Sequence, residues 1–168
     1  MIWRAEVHDV AAAEAVLRAA FTPFIAVIGQ KPAPMRADLA AAQAAGQLWV
    51  AGAGEGTGAG LGTGAAVTAL MVCFAQGEEL ELDILAVAPE AQGQGLGAAL
   101  EGHAEALARA SGLRAVTLYT NAAMTGAQRL YDRLGFQLVE RRQQDGFDRL
   151  FYRKAITGGA SLASPASS

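Results

Sequence analysis

A glycine-rich loop that joins a predicted strand to a predicted helix constrains this chain more than any other stretch of its sequence. The apolar run Leu80–Val87 predicts the strand, the alanine-rich pattern 96–110 predicts the helix, and Gly93, Gly95 and Gly97 lie at the junction. Glycine lets a backbone approach a ligand closely, and the first N–H groups of a helix are unpaired donors at the positive end of the helix dipole. The sequence therefore predicts an anion site, such as a phosphate site, in this loop.

Length and composition indicate one folded domain. The chain has 168 residues, of which 52% are hydrophobic and 17% are charged, a balance that excludes an intrinsically disordered protein. Its net charge of −3 lacks the basic excess of a general nucleic-acid binder, and no apolar run is long enough to span a membrane. The N-terminus has no signal-peptide pattern. We therefore expect a cytoplasmic protein with neither a nucleic-acid nor a membrane partner.

Hydrophobic periodicity and turn residues divide the chain into strands and helices. Strands are predicted at 2–7, 48–51, 65–74, 80–87, 115–120, 137–141 and 149–153, and helices at 10–20, 35–45, 96–110 and 125–134. Asp9 is the predicted N-cap of the first helix, and the proline-containing stretch 21–35 is predicted to be a broken or looped segment. This order predicts an α+β fold in which a mixed sheet is flanked by helices, with one parallel β-α-β crossover from Leu80 to Thr120.

Two further stretches are predicted to lack regular structure. Residues 52–64 are rich in glycine and almost free of apolar side chains, which predicts a flexible connection between two strands. Residues 157–168 are small and polar, which predicts a disordered tail. The folded domain is therefore expected to span residues 1–156. No cluster of histidine and cysteine in the sequence has metal-ligand spacing, so no metal is expected.

The loop also has the spacing Gly93-x-Gly95-x-x-Ala98, which occurs in dinucleotide-binding folds. A nicotinamide cofactor requires an acidic residue about twenty positions further on, which binds the ribose hydroxyls. The sequence has no acidic residue between Glu105 and Asp132, and no repeated β-α-β units surround the loop. The sequence therefore disfavours a nicotinamide or flavin enzyme.

Two motifs together resemble the GNAT superfamily of N-acetyltransferases. Val87-x-Pro89-x-x-Gln92-Gly93-x-Gly95-x-Gly97 is similar to the family's acetyl-CoA signature, and Tyr131-x-x-x-Gly135-Phe136 is similar to its Tyr-x-x-x-Gly-Phe helix end. Segments at 21–24, 32–35 and 119–121 further resemble a bacterial branch of unknown substrate. The resemblance covers about residues 2–156 and implies a mostly antiparallel sheet of about six or seven strands. It also implies acetyl-CoA as the cofactor, and many relatives pair as homodimers.

The resemblance assigns residues to the cofactor. The backbone N–H groups of the loop would bind the pyrophosphate. The exposed backbone of the preceding strand would pair with the pantetheine arm, with the Leu85 N–H placed to polarise the thioester carbonyl, and this pairing requires the strands 80–87 and 115–120 to separate. The implied cofactor-binding residues are Leu85, Ala86, Val87, Gln92, Gly93, Gln94, Gly95, Leu96, Gly97 and Asn121.

One position departs from the family pattern. Family members often have asparagine seven residues before the tyrosine, where it holds the cofactor, and this chain has Met124 there. Asn121 or Thr125 could replace the contact. Asn121 could equally be a helix cap, so the sequence leaves its role open.

Acetyl transfer to an amine requires a base, because an alkyl amine is mostly protonated at neutral pH. Glu81 lies where some family members have a glutamate base, and Asp83 shares its strand face by the period of two. Burial and mutual repulsion would raise the pKa of at least one of them. The alternatives are a solvated acidic edge, or an acidic group that recruits a cationic amine. The resemblance implies that Tyr131 donates a proton to the leaving thiolate, and the alternative is an aromatic core residue.

The acceptor is left open by the sequence. The resemblance implies direct transfer to a primary amine on a small molecule or a peptide. A second hypothesis is a catalytically silent CoA-binding or protein-interaction module on the same fold; Tyr131 and Glu81 favour the enzyme, whereas Met124 leaves room for the module. The candidate substrate-binding residues, which could equally belong to the core, are Phe21, Phe24, Met35 and Phe147.

Overall fold

The computed structural model describes residues 1–53 and 66–156. Most of the predicted glycine-rich connection and the whole predicted tail lie outside these residues. The strands are β1 (Ile2–Arg4), β2 (Leu48–Ala53), β3 (Ala66–Gln76), β4 (Glu79–Val87), β5 (Ala115–Asn121), β6 (Gln137–Gln144) and β7 (Phe147–Ala155). The α-helices are α1 (Val10–Phe21), α2 (Phe24–Ile28), α3 (Leu39–Ala44), α4 (Leu96–Ala110) and α5 (Thr125–Arg133). Short 3-10 turns lie at Val7–Asp9, Ala33–Arg36 and Pro89–Ala91.

The strands form one mixed sheet with the order β1-β2-β3-β4-β5-β7-β6. β4 and β5 pair in parallel and are joined through α4, as a parallel connection requires. The pairs β1–β2, β2–β3, β5–β7 and β6–β7 are antiparallel. The seven-stranded sheet confirms the predicted α+β fold class and its parallel crossover.

The chain divides into two compact units. The first unit consists of Met1–Cys73 and Ile84–Leu100, and the second of Phe74–Asp83 and Glu101–Ser168. β3, β4 and α4 each contribute residues to both units. The glycine loop therefore belongs to the first unit, and the predicted catalytic side chains belong to the second.

Helix α1 buries one apolar face, on which Val16 and Leu17 lie. Asp9 occupies the N-cap position of this helix, as predicted, but its side chain makes no capping hydrogen bond. Its carboxylate accepts from Trp3 Nε1 at 3.1 Å and from the Glu6 N–H at 2.9 Å. Asp9 therefore stabilises the 3-10 turn before the helix. Both donors belong to the segment that precedes this turn.

The stretch 21–35 is more ordered than predicted, since it contains α2 and most of the Ala33–Arg36 turn. α3 begins at Leu39 rather than at the predicted residue 35. Its start is fixed by Asp38, which accepts from the Ala41 N–H at 3.0 Å and so satisfies one of the free donors of the first helical turn.

The second unit has one apolar and one polar sheet face, because side chains alternate along β4, β5 and β7. The buried apolar face contains Leu80, Leu82, Val116, Leu118, Leu150 and Tyr152. The strand register places these residues on the polar face: Glu79, Glu81, Asp83, Thr117, Tyr119, Arg149, Phe151 and Arg153. The candidate site is built on this polar face.

The hairpin of β6 and β7 turns at Asp145 and Gly146, as the Asp-Gly pair predicts. Both residues have positive φ angles, 53° and 81°, which a two-residue turn that follows the twist of the strands requires. The turn brings Arg149 into register with Asn121 on β5.

Candidate active site

The glycine loop forms the predicted strand, turn and helix start. β4 ends at Val87, a 3-10 turn follows, and α4 begins at Leu96. Gly93 and Gly95 have φ angles of 84° and 80°, in the left-handed region that glycine adopts without strain. The Ala99 N–H donates to the Gly95 carbonyl at 2.9 Å as the first bond of the helix. The N–H groups just before it are those that a helix start leaves without an intrahelical acceptor.

The surface of the loop is open to a ligand. A Cβ added at Gly93 or Gly95 would meet no heavy atom within 4 Å. Gln92 fixes the loop to the end of β4, because its side-chain Nε2 donates to the Val87 carbonyl at 3.2 Å. No lysine or arginine lies between residues 88 and 97, so an anion in this loop would be held by N–H groups and the helix dipole.

The pairing of β4 with β5 is short. Their registered pairs run from Glu79 with Ala115 to Leu82 with Leu118, although β5 continues to Asn121. The later residues of β5 pair with β7. The registered β4–β5 pairs therefore end at Leu118 within the described residues.

Glu81 and Asp83 lie on the same face of β4, both partly buried. Burial, and then the charge of Asp83, raise the pKa of Glu81 above its usual range. Burial also raises the pKa of Asp83, against the opposing effects of the Tyr119 hydroxyl and the Arg149 guanidinium. The structure thus brings the two predicted acids together in different surroundings.

Tyr119 and Arg149 were not identified from the sequence. Arg149 is buried, with its guanidinium 4.5 Å from the Tyr119 ring centre and 5.4 Å from that of Phe147. Its Nη1 donates to Gln144 Oε1 at 2.9 Å. The sequence signal is an arginine immediately after the predicted hairpin turn. The sequence does not show that Arg149 lies beside Tyr119, because only the β5–β7 pairing brings the two residues together.

A pocket of about 190 Å³ opens on the polar face of the second unit. Glu81 contributes one wall, and the Glu79 carboxylate binds Arg153 Nε at 2.5 Å. The lining residues are Glu79, Glu81, Thr117, Leu118, Tyr119, Val139, Phe151, Tyr152 and Arg153. The pocket therefore combines a carboxylate with aromatic and aliphatic surfaces.

Tyr131 is buried on α5, with only 7% of its surface exposed. Its ring lies 5.7 Å from the Phe136 ring and 5.8 Å from the Tyr152 ring. Burial, and then the charges of Glu101 and Tyr152, raise the pKa of its hydroxyl well above the usual range. The hydroxyl is therefore protonated at neutral pH, as a proton donor must be.

Glu101 is a further titratable group that sequence reasoning missed. It is 2% exposed on α4, and its Oε1 has no hydrogen-bond partner in the described part of the chain. Burial, and then Glu105, raise the pKa of Glu101 to about 8. Glu105 in turn accepts from Lys154 Nζ at 2.8 Å. The sequence signal is the helical spacing of Glu101 from Ala104, which is fully buried.

Asn121 closes the turn before α5. Its Oδ1 accepts from the Ala123 N–H at 2.8 Å, which forms an Asx-turn and not the helix cap that the sequence left open. Met124 occupies the N-cap position of α5 without a side-chain bond. The Asn121 side-chain nitrogen is the group that a cofactor contact would use.

The four candidate substrate residues lie in different surroundings. Phe21 and Phe147 are buried, and Phe24 is half-buried. Met35 is also half-buried and lines a second pocket of about 170 Å³, within the first unit, beside Arg18 and Lys31. None of the four lines the pocket that contains Glu81.

Two further features hold for residues 1–53 and 66–156. The helices in these ranges are too short or too polar to cross a membrane. The same ranges hold no group of three or more His, Cys, Asp or Glu side chains arranged to bind a metal ion.

Comparison with known proteins identifies the family. A model described as "Acetyltransferase (GNAT) family" matches residues 13–136. The ribosomal-protein-S18-alanine N-acetyltransferase of Escherichia coli is 22% identical, with 95% of each chain covered and a TM-score of 0.69. The PaiA N-acetyltransferase of Thermoplasma acidophilum, solved in complex with coenzyme A, is 16% identical, with 92% of this chain and 98% of that chain covered and a TM-score of 0.71. At these identities the structural likeness shows the fold. A comparison with curated proteins gives no match.

Proposed function

The chain belongs to the acetyltransferase (GNAT) family, and we propose that it transfers the acetyl group of acetyl-CoA directly to a primary amine of a small molecule or a peptide. The observation that carries the proposal is the open glycine loop at the start of α4, whose N–H groups fit a pyrophosphate. Acetyl-CoA supplies the activated acetyl group when it is bound.

The loop holds the pyrophosphate through backbone N–H groups of Gln92, Gly93, Gln94, Gly95, Leu96 and Gly97. The Gln92 N–H already donates to the Pro89 carbonyl at 3.4 Å, a long bond that a phosphate oxygen can share or replace. The side-chain nitrogen of Asn121 adds a further contact. The fit depends on the absence of a Cβ at Gly93 and Gly95, where a ligand needs the space.

The backbone of Leu85, Ala86 and Val87 pairs with the pantetheine arm in our proposal. The early end of β4–β5 pairing supports this role, because unpaired buried backbone groups are costly and an amide-containing ligand satisfies them. The Leu85 N–H then lies beside the thioester carbonyl and stabilises the negative charge that develops on its oxygen.

Glu81 is the proposed base. It takes a proton from the acceptor ammonium, and the freed amine forms the C–N bond as the C–S bond breaks. In our proposal Tyr131 gives a proton to the departing sulfur. The second proton that the nitrogen loses on forming the amide restores the tyrosine hydroxyl, while the proton on Glu81 passes to solvent. Asp83 keeps a negative charge beside Glu81 that attracts the ammonium. Overall, an ammonium and acetyl-CoA give an amide, the CoA thiol and one proton.

The cofactor part of the proposal is tested by Gly95→Ala. A side chain at a φ of 80° costs about 1–2 kcal/mol of folding stability, and its Cβ also projects into the space for the ligand. We expect acetyl-CoA affinity to fall by roughly tenfold or more. The matched control is Gly102→Ala within α4, which should gain about 1 kcal/mol of stability and leave affinity unchanged.

The silent-module alternative predicts binding without turnover. Thermal stabilisation by acetyl-CoA tests binding, and thiol release over a panel of amines and peptides tests transfer. No stabilisation would remove the cofactor claim, whereas stabilisation without thiol release on any acceptor would favour the module.

Further parts of the proposal concern the whole protein. We propose residues 1–156 as the acetyltransferase domain, with 157–168 as a tail outside it. We also propose a cytoplasmic location, pairing as a homodimer, and no nucleic-acid or membrane partner. Size-exclusion chromatography with light scattering tests the homodimer.

A further inference from the structure

Three carboxylates line one face of β4 in the second unit, and two of them already have charged or hydrogen-bonding partners. Glu79 binds Arg153 at 2.5 Å. Asp83 accepts from the Tyr119 hydroxyl and is near the Arg149 guanidinium. Glu81 forms no ion pair with any of the described residues, although it lines the pocket on this face. The pocket therefore has one uncompensated negative charge.

The surroundings of Glu81 in the pocket are aromatic and aliphatic. The Tyr119 and Phe151 rings lie 5.8 Å apart, and Val139 of β6 is 64% exposed. The pocket volume of about 190 Å³ is below the roughly 300–1,000 Å³ of pockets that enclose drug-sized ligands. The part of a ligand that fits here is small and largely apolar.

The other charged groups near the pocket are already paired. Arg153, which lines the pocket, binds Glu79. Arg142, whose guanidinium lies 4.3 Å from the centre of the Phe151 ring, pairs with Glu140 at 3.4 Å. Among the described residues, a second positive charge on a ligand would therefore meet only carboxylates that an arginine already pairs, and it would lose hydration against the aromatic wall. Arg142 also occupies a ring face that could otherwise attract a cation.

We propose that this pocket selects, as the acceptor, a small amine with one positive charge and an apolar or aromatic body. The ammonium binds at Glu81, and the body lies against Tyr119, Phe151 and Val139. A polyamine or a lysine-rich peptide is disfavoured because its further charges would lie against the aromatic wall, where the carboxylates Glu79 and Glu140 are already paired with Arg153 and Arg142. This inference rests on the proposed function and narrows its substrate class.

The test compares kcat/KM for 2-phenylethylamine, putrescine and spermidine, with acetyl-CoA saturating. We expect 2-phenylethylamine to exceed both polyamines by roughly tenfold or more, since a cost of about 1.4 kcal/mol for one unpaired charge at the pocket gives that ratio. An equal or higher value for putrescine overturns the inference and leaves the acetyltransferase proposal standing. If acetyl-CoA binds and no amine is acetylated, both the inference about the acceptor and the acetyltransferase proposal are wrong.

A matched pair of variants locates the selectivity. Val139→Asp adds a carboxylate at the pocket, so the ratio of 2-phenylethylamine to putrescine should fall by roughly tenfold. Leu138→Asp adds the same charge at a neighbouring position that is 56% exposed and does not line the pocket, and the ratio should stay unchanged. Equal effects of the two variants would mean that the selectivity arises elsewhere.

Discussion

The second unit contains two pairs of carboxylates with very different surroundings. Glu81 and Asp83 on β4 are partly buried, and Glu81 opens onto a pocket. Glu101 on α4 is 2% exposed and is hydrogen-bonded to Glu105, which binds Lys154. Burial raises the pKa of Glu81, Asp83 and Glu101 alike.

Access to ligand separates the two pairs more clearly than the direction of the pKa shift does. A base must meet its proton donor, and Glu81 of the β4 pair lines a pocket. Glu101 is closed off in the core near Tyr131, where it favours the protonated hydroxyl. A raised pKa is therefore consistent with the proposed base on β4, whereas on α4 it means a cost in stability.

The largest expected effect is the loss of turnover in Glu81→Gln. Removing a general base lowers kcat/KM by roughly 10²–10⁴-fold, and the rate should then rise with pH as free amine becomes available. Steady-state kinetics across pH measure this effect. Glu78→Gln is the control, because Glu78 is exposed and paired with Arg114 at 3.4 Å. A rise in KM alone would reduce Glu81 to an electrostatic site for the cation.

The next largest effect concerns stability and involves Glu101. Its carboxyl is protonated in the fold up to a pKa of about 8, whereas it ionises in the usual glutamate range when the chain unfolds. Unfolding therefore releases a proton between these values, and stability falls as pH rises toward 8. Between about pH 5.5 and 8 the fall is on the order of 2–3 kcal/mol.

Glu101→Gln should remove this dependence, because the variant has no proton to release. Urea unfolding at several pH values measures the change, and the variant should exceed the wild type in stability at the alkaline end. Glu105 acts in the opposite direction, since its pKa is lowered, but that contribution is complete above the usual glutamate range. An unchanged slope in the variant would show that Glu101 is ionised in the fold.

Most of the fold could be predicted because its signals are local. Period-two alternation marks β4, the glycines mark the loop, and Asp145-Gly146 marks the hairpin turn. The start of α1 was predicted correctly, but the role of the Asp9 side chain was not, because its carboxylate accepts from Trp3 and Glu6. The sequence contains these donors, but it does not show which of the competing hydrogen bonds forms.

The candidate site could be predicted only in part, because some of its residues meet only through the pairing of strands that are distant in the sequence. Glu81 and Asp83 follow from the alternation of one strand. Tyr119 and Arg149 meet only through the β5–β7 register, which no local pattern reveals. Glu101 lies in an alanine-rich helix, and the sequence alone does not determine which face of that helix is buried.

A smaller effect is expected from Tyr131→Phe, which tests whether the core beside Glu101 also has a chemical role. A thiolate is a weakly basic leaving group, so loss of its proton donor should lower kcat by roughly 10- to 100-fold. Affinity for acetyl-CoA should hardly change. Single-turnover rates and equilibrium binding separate the two quantities. Unchanged kcat would leave Tyr131 as an aromatic core residue stacked against Phe136 and Tyr152.

The smallest effect is a shift of the pH profile in Tyr119→Phe. The Tyr119 hydroxyl favours the ionised form of Asp83, and the charge of Asp83 raises the pKa of Glu81. Without the hydroxyl, Asp83 holds its proton more tightly and repels Glu81 less. The pKa of Glu81 then falls, so the acid limb of kcat/KM should move to lower pH.

The charged groups around Asp83 limit the size of this shift. Arg149 still favours the ionised form of Asp83 in the variant, and Glu79 is engaged by Arg153. Thr117→Val is the control, because Thr117 shares the face but donates to the Leu80 carbonyl at 3.5 Å, and it should leave the limb in place. A limb that moves to higher pH in Tyr119→Phe would mean that the tyrosine acts on Glu81 directly. Glu81 and Asp83 would then not act as a base and a neighbouring fixed negative charge.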